Sequence, residues 1–151
     1  MDVVDAKTRS RMMAGIRGRN TSPERKVRRY LHARGFRFRL NVKGLPGKPD
    51  IVLPKYGLVI FVHGCFWHRH PGCRLTSTPS TNPQRWQEKF QANVTRDKRN
   101  REHLLNQGWR VLTLWECGLR RKPEELEWLP DWIKSAEALA EWPVPPDNSK
   151  A

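Results

Sequence analysis

The sequence predicts an α/β fold, a mixed central sheet flanked by helices, and three observations carry that prediction. Two apolar runs, Ile51-Val52-Leu53 and Leu58 to Val62, sit either side of Pro54-Lys55-Tyr56-Gly57 and read as a hairpin. Helical periodicity brackets the pair, with Val27, Tyr30 and Leu31 before it and Trp86, Phe90, Val94, Leu104 and Leu105 after it. A third alternating run, Trp109 to Trp115, follows the second helix. At 151 residues the chain fits one domain.

Each element has a local reason. Residues 1–20 are basic and contain Gly15 and Gly18, so they are expected to form a DNA-binding arm that orders on its partner. Thr21-Ser22-Pro23-Glu24 is a helix start, with a capping hydroxyl, Pro in the first turn and Glu three after Thr21; Gly35 ends that helix. Phe36, Phe38 and Leu40 alternate with Arg37 and Arg39, which predicts a half-buried strand. A Gly/Pro loop over residues 44–49 leads to Asp50 and the hairpin. If Leu53 faces Leu58, Asp50 falls opposite Phe61, within a residue or two of His63 on the neighbouring strand. Asn82-Pro83 opens the long helix and Gly108 stops it. Two short helices are expected from Pro123 and Pro130, giving the order α-β-β-β-α-β-α. The boundaries are an arm at 1–20, a domain at 21–142 and a flexible tail at 143–151.

Charge narrows the function. There are 29 Lys+Arg against 15 Asp+Glu, a net charge of +14. Surface of that sign suits a polyanion. Hydrophobic residues are 37% of the chain and include seven Trp and five Phe, enough for a core, which excludes wholesale disorder. No apolar run approaches the roughly 20 residues of a membrane helix, and no basic amphipathic helix stands out as a membrane-surface element. The first residues lack a signal peptide's apolar stretch, so the expected compartment is the cytoplasm. Nucleic acid is the partner these facts favour.

The histidines and cysteines point to chemistry. The segment His63 to Cys73, HGCFWHRHPGC, holds two of the three cysteines and three of the five histidines. Cys65, His70 and Cys73 are close enough to wrap one ion, and Cys117 would complete a Cys3His set of the structural zinc type. The plainer alternative makes Cys117 a small buried hydrophobe. His32 and His103 read as ordinary residues. His63 ends a strand beside Asp50, and His68 lies in the loop that zinc would fix. One carboxylate and two imidazoles at a sheet edge suggest phosphodiester cleavage with Mg²⁺, a hard ion that binds through few carboxylates. An imidazole near neutrality would take the proton of the attacking water.

The runs LPGKPDIV, VIFVHGCFWHRHPGC, NVTRDKR and GWRVLTLWEC closely resemble the very-short-patch repair (Vsr) endonuclease family. The resemblance covers about residues 6 to 120 in order, and HGCFWH with PGKPD is its most specific part. It implies a restriction-endonuclease-like fold and a nick in one strand beside a T:G mismatch, the product of 5-methylcytosine deamination. Restriction-like nucleases carry Pro-Asp and then (Asp/Glu)-x-Lys. Here Phe61-Val62-His63 replaces that triplet, so its carboxylate and lysine are missing. What the family implies is Mg²⁺ on Asp50 and the backbone carbonyl of Val62, with His68 activating water and Asp97 orienting it. His63 and Glu24 would support the hydrated metal and the phosphate. Cys65, His70, Cys73 and Cys117 match the family's zinc ligands, although Pro71-Gly72 departs from a more His-rich loop and leaves Arg69 as an extra cation. Phe66, Trp67 and Trp86 match aromatics that wedge into the duplex, and Met13 matches a side chain inserted by the arm; the bland alternative for the aromatics is core packing. Arg17 is expected on phosphate. Nicking one strand needs only one active site, so a monomer is expected; the resemblance further implies double-stranded DNA as the substrate and a functional link to a cytosine-5 DNA methyltransferase.

Two other readings compete with a mismatch-specific nicking endonuclease. One is a restriction-type nuclease that needs no mismatch, separable by comparing T:G with C:G duplexes. The other is a zinc-stabilised nucleic-acid-binding module without catalysis, which leaves the placing of Asp50 near His63 as coincidence.

Overall fold

The computed structural model describes residues 22–143 other than 72, 74, 75, 77 and 122, with only the backbone given at 121 and 123–125. The expected arm, with Met13 and Arg17, and the tail beyond residue 143 lie outside the described residues.

Helix α1 spans Ser22–Ala33, with Pro23 in its first turn, and buries Val27 and Leu31. It closes as the sequence predicts. Gly35 is left-handed at φ 80°, and the N–H groups of Gly35 and Phe36 donate to the carbonyls of His32 and Leu31, each at 3.1 Å. A side chain at that φ would be strained, so glycine fits here. The strand after it, β1, is only Arg39–Leu40, both exposed. The expected strand from Phe36 is shortened because Phe36 turns inward into the core beneath α1 instead of alternating along the sheet edge.

Strands β2 (Ile51–Leu53) and β3 (Leu58–His63) form the hairpin in the predicted register, with Leu53 facing Leu58 and Ile51 facing Ile60. A single 3-10 turn at Pro54–Tyr56 joins them. The short helix α2 is Cys65–His68. The long helix α3 is Pro83–Asn106. Its C-terminus repeats the closure of α1: Trp109 and Gly108 donate to the carbonyls of Leu104 and Leu105 at 3.0 and 3.1 Å. Strand β4 is Arg110–Trp115 and pairs parallel with β3, His63 opposite Trp115. Helices α4 (Glu116–Arg121) and α5 (Leu129–Ile133) flank a 3-10 segment at Pro123–Trp128. A fifth strand, β5 (Leu139–Trp142), lies parallel to β4.

The sheet is therefore mixed, in the order β1-β2-β3-β4-β5, antiparallel across the first three strands and parallel across the last three. Both faces are covered, so the inner strands are buried throughout instead of alternating with solvent. Ile51, Leu53, Leu58, Ile60, Leu112 and Leu114 pack on the side of α1 and α5. Val52, Val59, Phe61 and Val111 pack against Leu104 of α3. Among the described residues no helix is long and apolar enough to cross a membrane.

Two further expectations need correction, and two elements were not anticipated. Helix α4 was not anticipated, and the segment from Pro123 is a 3-10 helix. Strand β5 was not anticipated either: Leu139-Ala140-Glu141-Trp142 carries helix-favouring residues, and pairing with β4 overrides that propensity. Val94 is 38% exposed, so it does not belong to the apolar face of α3. That helix buries only Phe90 and Leu104, because its middle spans a cleft and not the core.

Arg110 ties the last third of the chain to the sheet. Its guanidinium donates to the carbonyls of Glu137 (2.7 Å), Ile133 (2.7 Å) and Trp132 (2.8 Å), which satisfies the C-terminal carbonyls of α5. It also lies 4.7 Å from the Trp132 ring centre. Arg110→Ala is expected to cost about 2 kcal/mol, the scale of hydrogen bonds from a charged donor. Thermal unfolding would read that as a melting temperature lower by roughly 4–8 °C.

Candidate active site

The β2–β3 hairpin delivers Asp50 to the end of β3. One Asp50 carboxylate oxygen (Oδ2) accepts the Val62 N–H at 2.7 Å, continuing the ladder by a side chain where β2 has not yet begun. Burial pushes the Asp50 carboxyl up to about 7; the Val62 hydrogen bond opposes this, and the Glu24 carboxyl beside it, itself hydrogen-bonded to Asp50, adds to it. Glu24 is 6% exposed and comes from the first turn of α1. Two carboxyl groups share one poorly solvated corner, a setting that favours a cation.

Beside this corner the His63 and His68 rings stack, 3.9 Å apart and 6° from parallel. His63 is 8% exposed, and among the described residues its Nδ1 has no hydrogen-bond partner. Burial holds it well below the usual histidine range, with His68 and then Arg101 adding to the effect. His68 Nδ1 lies 2.6 Å from Asp97 Oδ2, which comes from α3. A neutral imidazole held in this way donates its Nδ1–H as a hydrogen bond to the carboxylate and keeps Nε2 as an acceptor.

These groups line one cleft of about 1010 Å³. Six cations, Arg25, Lys48, Lys89, Arg96, Arg101 and Arg120, share its walls with Glu24, Asp50, Asp97 and Glu116. Sequence reasoning named Asp97 but missed its neighbours on the polar face of α3, half-buried Asn93 and Asn100, which follow the helical repeat with it and line the cleft. The signal was present as an i, i+4, i+7 pattern of amides and carboxylate.

Phe66 and Trp67 also line the cleft and meet edge to face at 5.0 Å. Trp86 is half-buried behind them, 5.9 Å from Trp67 and 5.6 Å from Phe90. Only Phe90 of this layer is fully buried. Phe66, Trp67 and Trp86 are thus neither core nor free, but a supported aromatic surface at the cleft edge. Arg69, the extra cation of the loop, reaches the Thr76 carbonyl at 2.6 Å and lies 4.0 Å from the Phe90 ring centre, so it braces this layer.

A second cluster sits behind the first. Donor atoms of Cys65, His70, Cys73 and Cys117 all lie within 4.8 Å of one another. His70 Nδ1 is 3.4 Å from the Cys117 sulfur and 3.9 Å from that of Cys65, spacings that suit ligands around one tetrahedral ion. His70 Nε2 lies 3.2 Å from the Pro143 carbonyl, the kind of outer contact that fixes a ligating imidazole's tautomer. Burial raises both the Cys65 and the Cys117 thiol. Three thiols and an imidazole in a dry pocket are a donor set for a metal such as zinc. The two clusters share a wall: Trp115 stacks on His70 at 4.4 Å and meets His63 edge-on at 5.3 Å. Glu116 adds a polar tie, accepting the Cys65 N–H at 3.3 Å while paired with Arg120 at 2.8 Å.

The family model for the DNA mismatch endonuclease Vsr matches residues 1–74. The DNA mismatch endonuclease Vsr of Escherichia coli (strain K12) is 43% identical over 146 residues, 93% of this chain and 92% of that one. The chain belongs to the Vsr family. Two further relatives are named as nicking enzymes. V.XorIIP of Xanthomonas oryzae pv. oryzae is 48% identical over 78% of this chain and 86% of its own length. V.NmeAIP of Neisseria meningitidis is 43% identical over 80% and 86% respectively.

In this Vsr-family chain the Cys3His cluster begins α2 with Cys65, and His68 ends it, so the cluster anchors the helix that carries the imidazole. Cys117→Ser should lower bound zinc and melting temperature together, because a metal held only by the folded state is linked to folding. Metal analysis beside a thermal scan checks this. One zinc per chain with an unchanged melting temperature would remove Cys117 from the ligand set.

Proposed function

We propose that the chain is a mismatch-repair endonuclease that nicks one DNA strand beside a T:G mismatch by Mg²⁺-dependent hydrolysis, in a restriction-endonuclease-like fold. The observation that carries this reading is the convergence of Glu24, Asp50, His63, His68 and Asp97 in one basic cleft edged by aromatic rings. A pure binding module would have no use for a buried carboxyl pair beside two stacked imidazoles.

Asp50 and the Val62 carbonyl would hold the Mg²⁺. The Val62 N–H points to the side of Asp50, and within a strand a residue's N–H and C=O point the same way. That carbonyl therefore faces the corner beyond the end of β2 and offers a hard oxygen beside the carboxylates. When bound, Mg²⁺ neutralises charge on the transferring phosphate and makes water a better nucleophile. His68 Nε2 takes the water proton as its oxygen bonds to phosphorus, the phosphorus–sugar oxygen bond breaks, and the departing oxygen gains a proton from solvent. Asp97 holds the His68 ring in register, and His63, kept neutral by burial, braces its other face. Glu24 stays beside Asp50, where it orients water next to the cation.

Affinity and discrimination come from different groups. The cleft cations meet phosphates, as Arg17 in the arm would, and contribute salt-dependent affinity for any duplex. Phe66 and Trp67, backed by Trp86, would press between bases from one groove and Met13 from the other. A mispair costs less to unstack than a matched pair. One active site nicks one strand, which a monomer suffices to do. A T:G mismatch produced by deamination of 5-methylcytosine ties the activity to a cytosine-5 DNA methyltransferase.

The test is a library of end-labelled duplexes with Mg²⁺, in which one strand is cut at T:G and neither strand at C:G. Equal cutting of both would favour a restriction-type nuclease, and binding without cutting a non-catalytic module. Asp50→Ala should reduce single-turnover nicking on the order of 10³-fold, since metal-borne charge stabilisation amounts to several kcal/mol, with DNA affinity largely kept. Trp67→Ala should weaken binding to T:G DNA much more than to the fully paired duplex. Equal losses on both would make this ring a generic contact.

A further inference from the structure

The (Asp/Glu)-x-Lys lysine is missing from this sheet, since His63 ends β3 where that cation would stand. The loop that precedes Asp50 contains another. Residues 41–50 leave β1 and return to β2 with their ends clipped together, the Asn41 N–H donating to the Asp50 carbonyl at 3.0 Å. Within the loop Lys48 is exposed and lines the same cleft as Asp50, and among the described residues its ammonium has no hydrogen-bond or ion-pair partner.

Its backbone is unusual. Lys48 is left-handed at φ 48°, next to Gly47 at φ 77°. Glycine and asparagine adopt this region readily, whereas lysine does so at a cost. The conformation is held from both sides. The Lys48 N–H donates to the Leu45 carbonyl at 3.1 Å, and Pro49 after it is buried. Gly47 lies against α3 so closely that a Cβ there would sit 3.0 Å from Asn100 Nδ2. The helix that supplies Asp97 therefore also seats the loop that supplies Lys48. A solvated lysine with no role needs neither strain nor buttress, and strain of this kind concentrates where a side chain must be aimed.

We propose that Lys48 is a catalytic cation whose ammonium binds a non-bridging oxygen of the scissile phosphodiester and stabilises the charge that grows there during attack, a role that rests on the nuclease reading above. The function lost from the strand is supplied from the loop, on the opposite side of Asp50 along the chain. Arg25, Arg96, Arg101 and Arg120 lie on helical walls and hold flanking phosphates, whereas Lys48 is the cation placed two residues from the metal-binding carboxylate.

The experiment uses the full-length chain and the T:G duplex that the wild type nicks, measuring single-turnover rate at saturating protein, DNA dissociation constant and melting temperature. Lys48→Met should slow nicking on the order of 10²-fold, as removal of one preorganised charge donor does, while the dissociation constant changes by less than about threefold. Lys48→Arg should restore most of the rate. Lys48→Asn should raise the melting temperature, by relieving the left-handed strain, yet nick as slowly as Lys48→Met. Nicking by Lys48→Met within about threefold of wild type, or a loss confined to DNA affinity, overturns the proposal and leaves the nuclease reading standing. A lower melting temperature for Lys48→Asn overturns it too. A wild type that nicks no duplex overturns both.

Discussion

The parallel pairing of β3 with β4 is the constraint on which the rest depends. Its register sets Leu58 opposite Arg110 and His63 opposite Trp115, a constant offset of 52 residues. Carried two residues past the strand ends, the same offset brings Cys65 to Cys117, and the Cys117 N–H lies 3.4 Å from the Cys65 sulfur. One pairing therefore closes the metal cluster on one side and seats His63 against Trp115 on the other. Ligand sites in sheets of this kind form beyond the carboxyl ends of parallel strands, where chains diverge and side chains can converge. A one-residue slip would move Cys117 off the cluster and Trp115 off both imidazoles at once.

The two clusters divide the work of holding a reactive site. Burying a carboxyl pair and an unpartnered imidazole opposes folding, because each loses water without full compensation. Something nearby must supply the deficit, and the apolar sheet beneath is well buried but ends at His63 and Trp115. Beyond those residues the chain turns into a short helix and a Gly/Pro-broken loop with little core of its own. A metal held by Cys65, His70, Cys73 and Cys117, whose donor atoms lie within 4.8 Å of one another, would contribute folding energy where apolar area is scarce. Its position one residue layer behind the imidazoles, through Trp115 and Glu116, lets it fix His68 without entering the cleft.

How much of this was legible depends on sequence distance. The hairpin register and the approach of Asp50 to the end of β3 followed from a four-residue turn, since both partners lie within about a dozen residues. The gathering of Cys65, His70, Cys73 and Cys117 was legible because three of them fall within nine residues and cysteine is rare. The β3–β4 pairing was not, because half a hundred residues intervene and no local pattern names the partner strand. Strand β5 was hidden for a related reason: Ala140 and Glu141 prefer helix, and only the open edge of β4 makes them a strand. Val94 was misjudged because helical period marks a face without saying what lies under it. The cleft lies there, and its lining is Asn93, Asp97 and Asn100. Lys48 was legible only as one letter of PGKPD; its strained φ is a property of the folded loop.

Charge arrangement separates two tasks that a DNA enzyme must not confuse. Asp50 and Glu24 form the floor of the cleft beyond the end of β3, while Asp97 and Glu116 on its helical walls are paired with His68 and Arg120, and most of the cleft cations lie on those walls. A duplex approaching the walls meets attraction along its whole length, whatever its sequence, and this attraction weakens with salt. At the floor the sign reverses. Two carboxyl groups repel phosphate unless a cation stands between them and the backbone, so bare DNA is held at the rim. Passing from rim to floor requires the backbone to bend inward, and the half-buried rings of Phe66 and Trp67 stand at the cleft edge where such bending would begin. On the proposed reading, a duplex that yields easily there would reach the floor, and a stiff one would remain attracted but uncut. In that proposal general affinity places the enzyme on DNA and deformability decides whether the chemistry is reached, so raising the first by adding wall cations would leave the second unchanged.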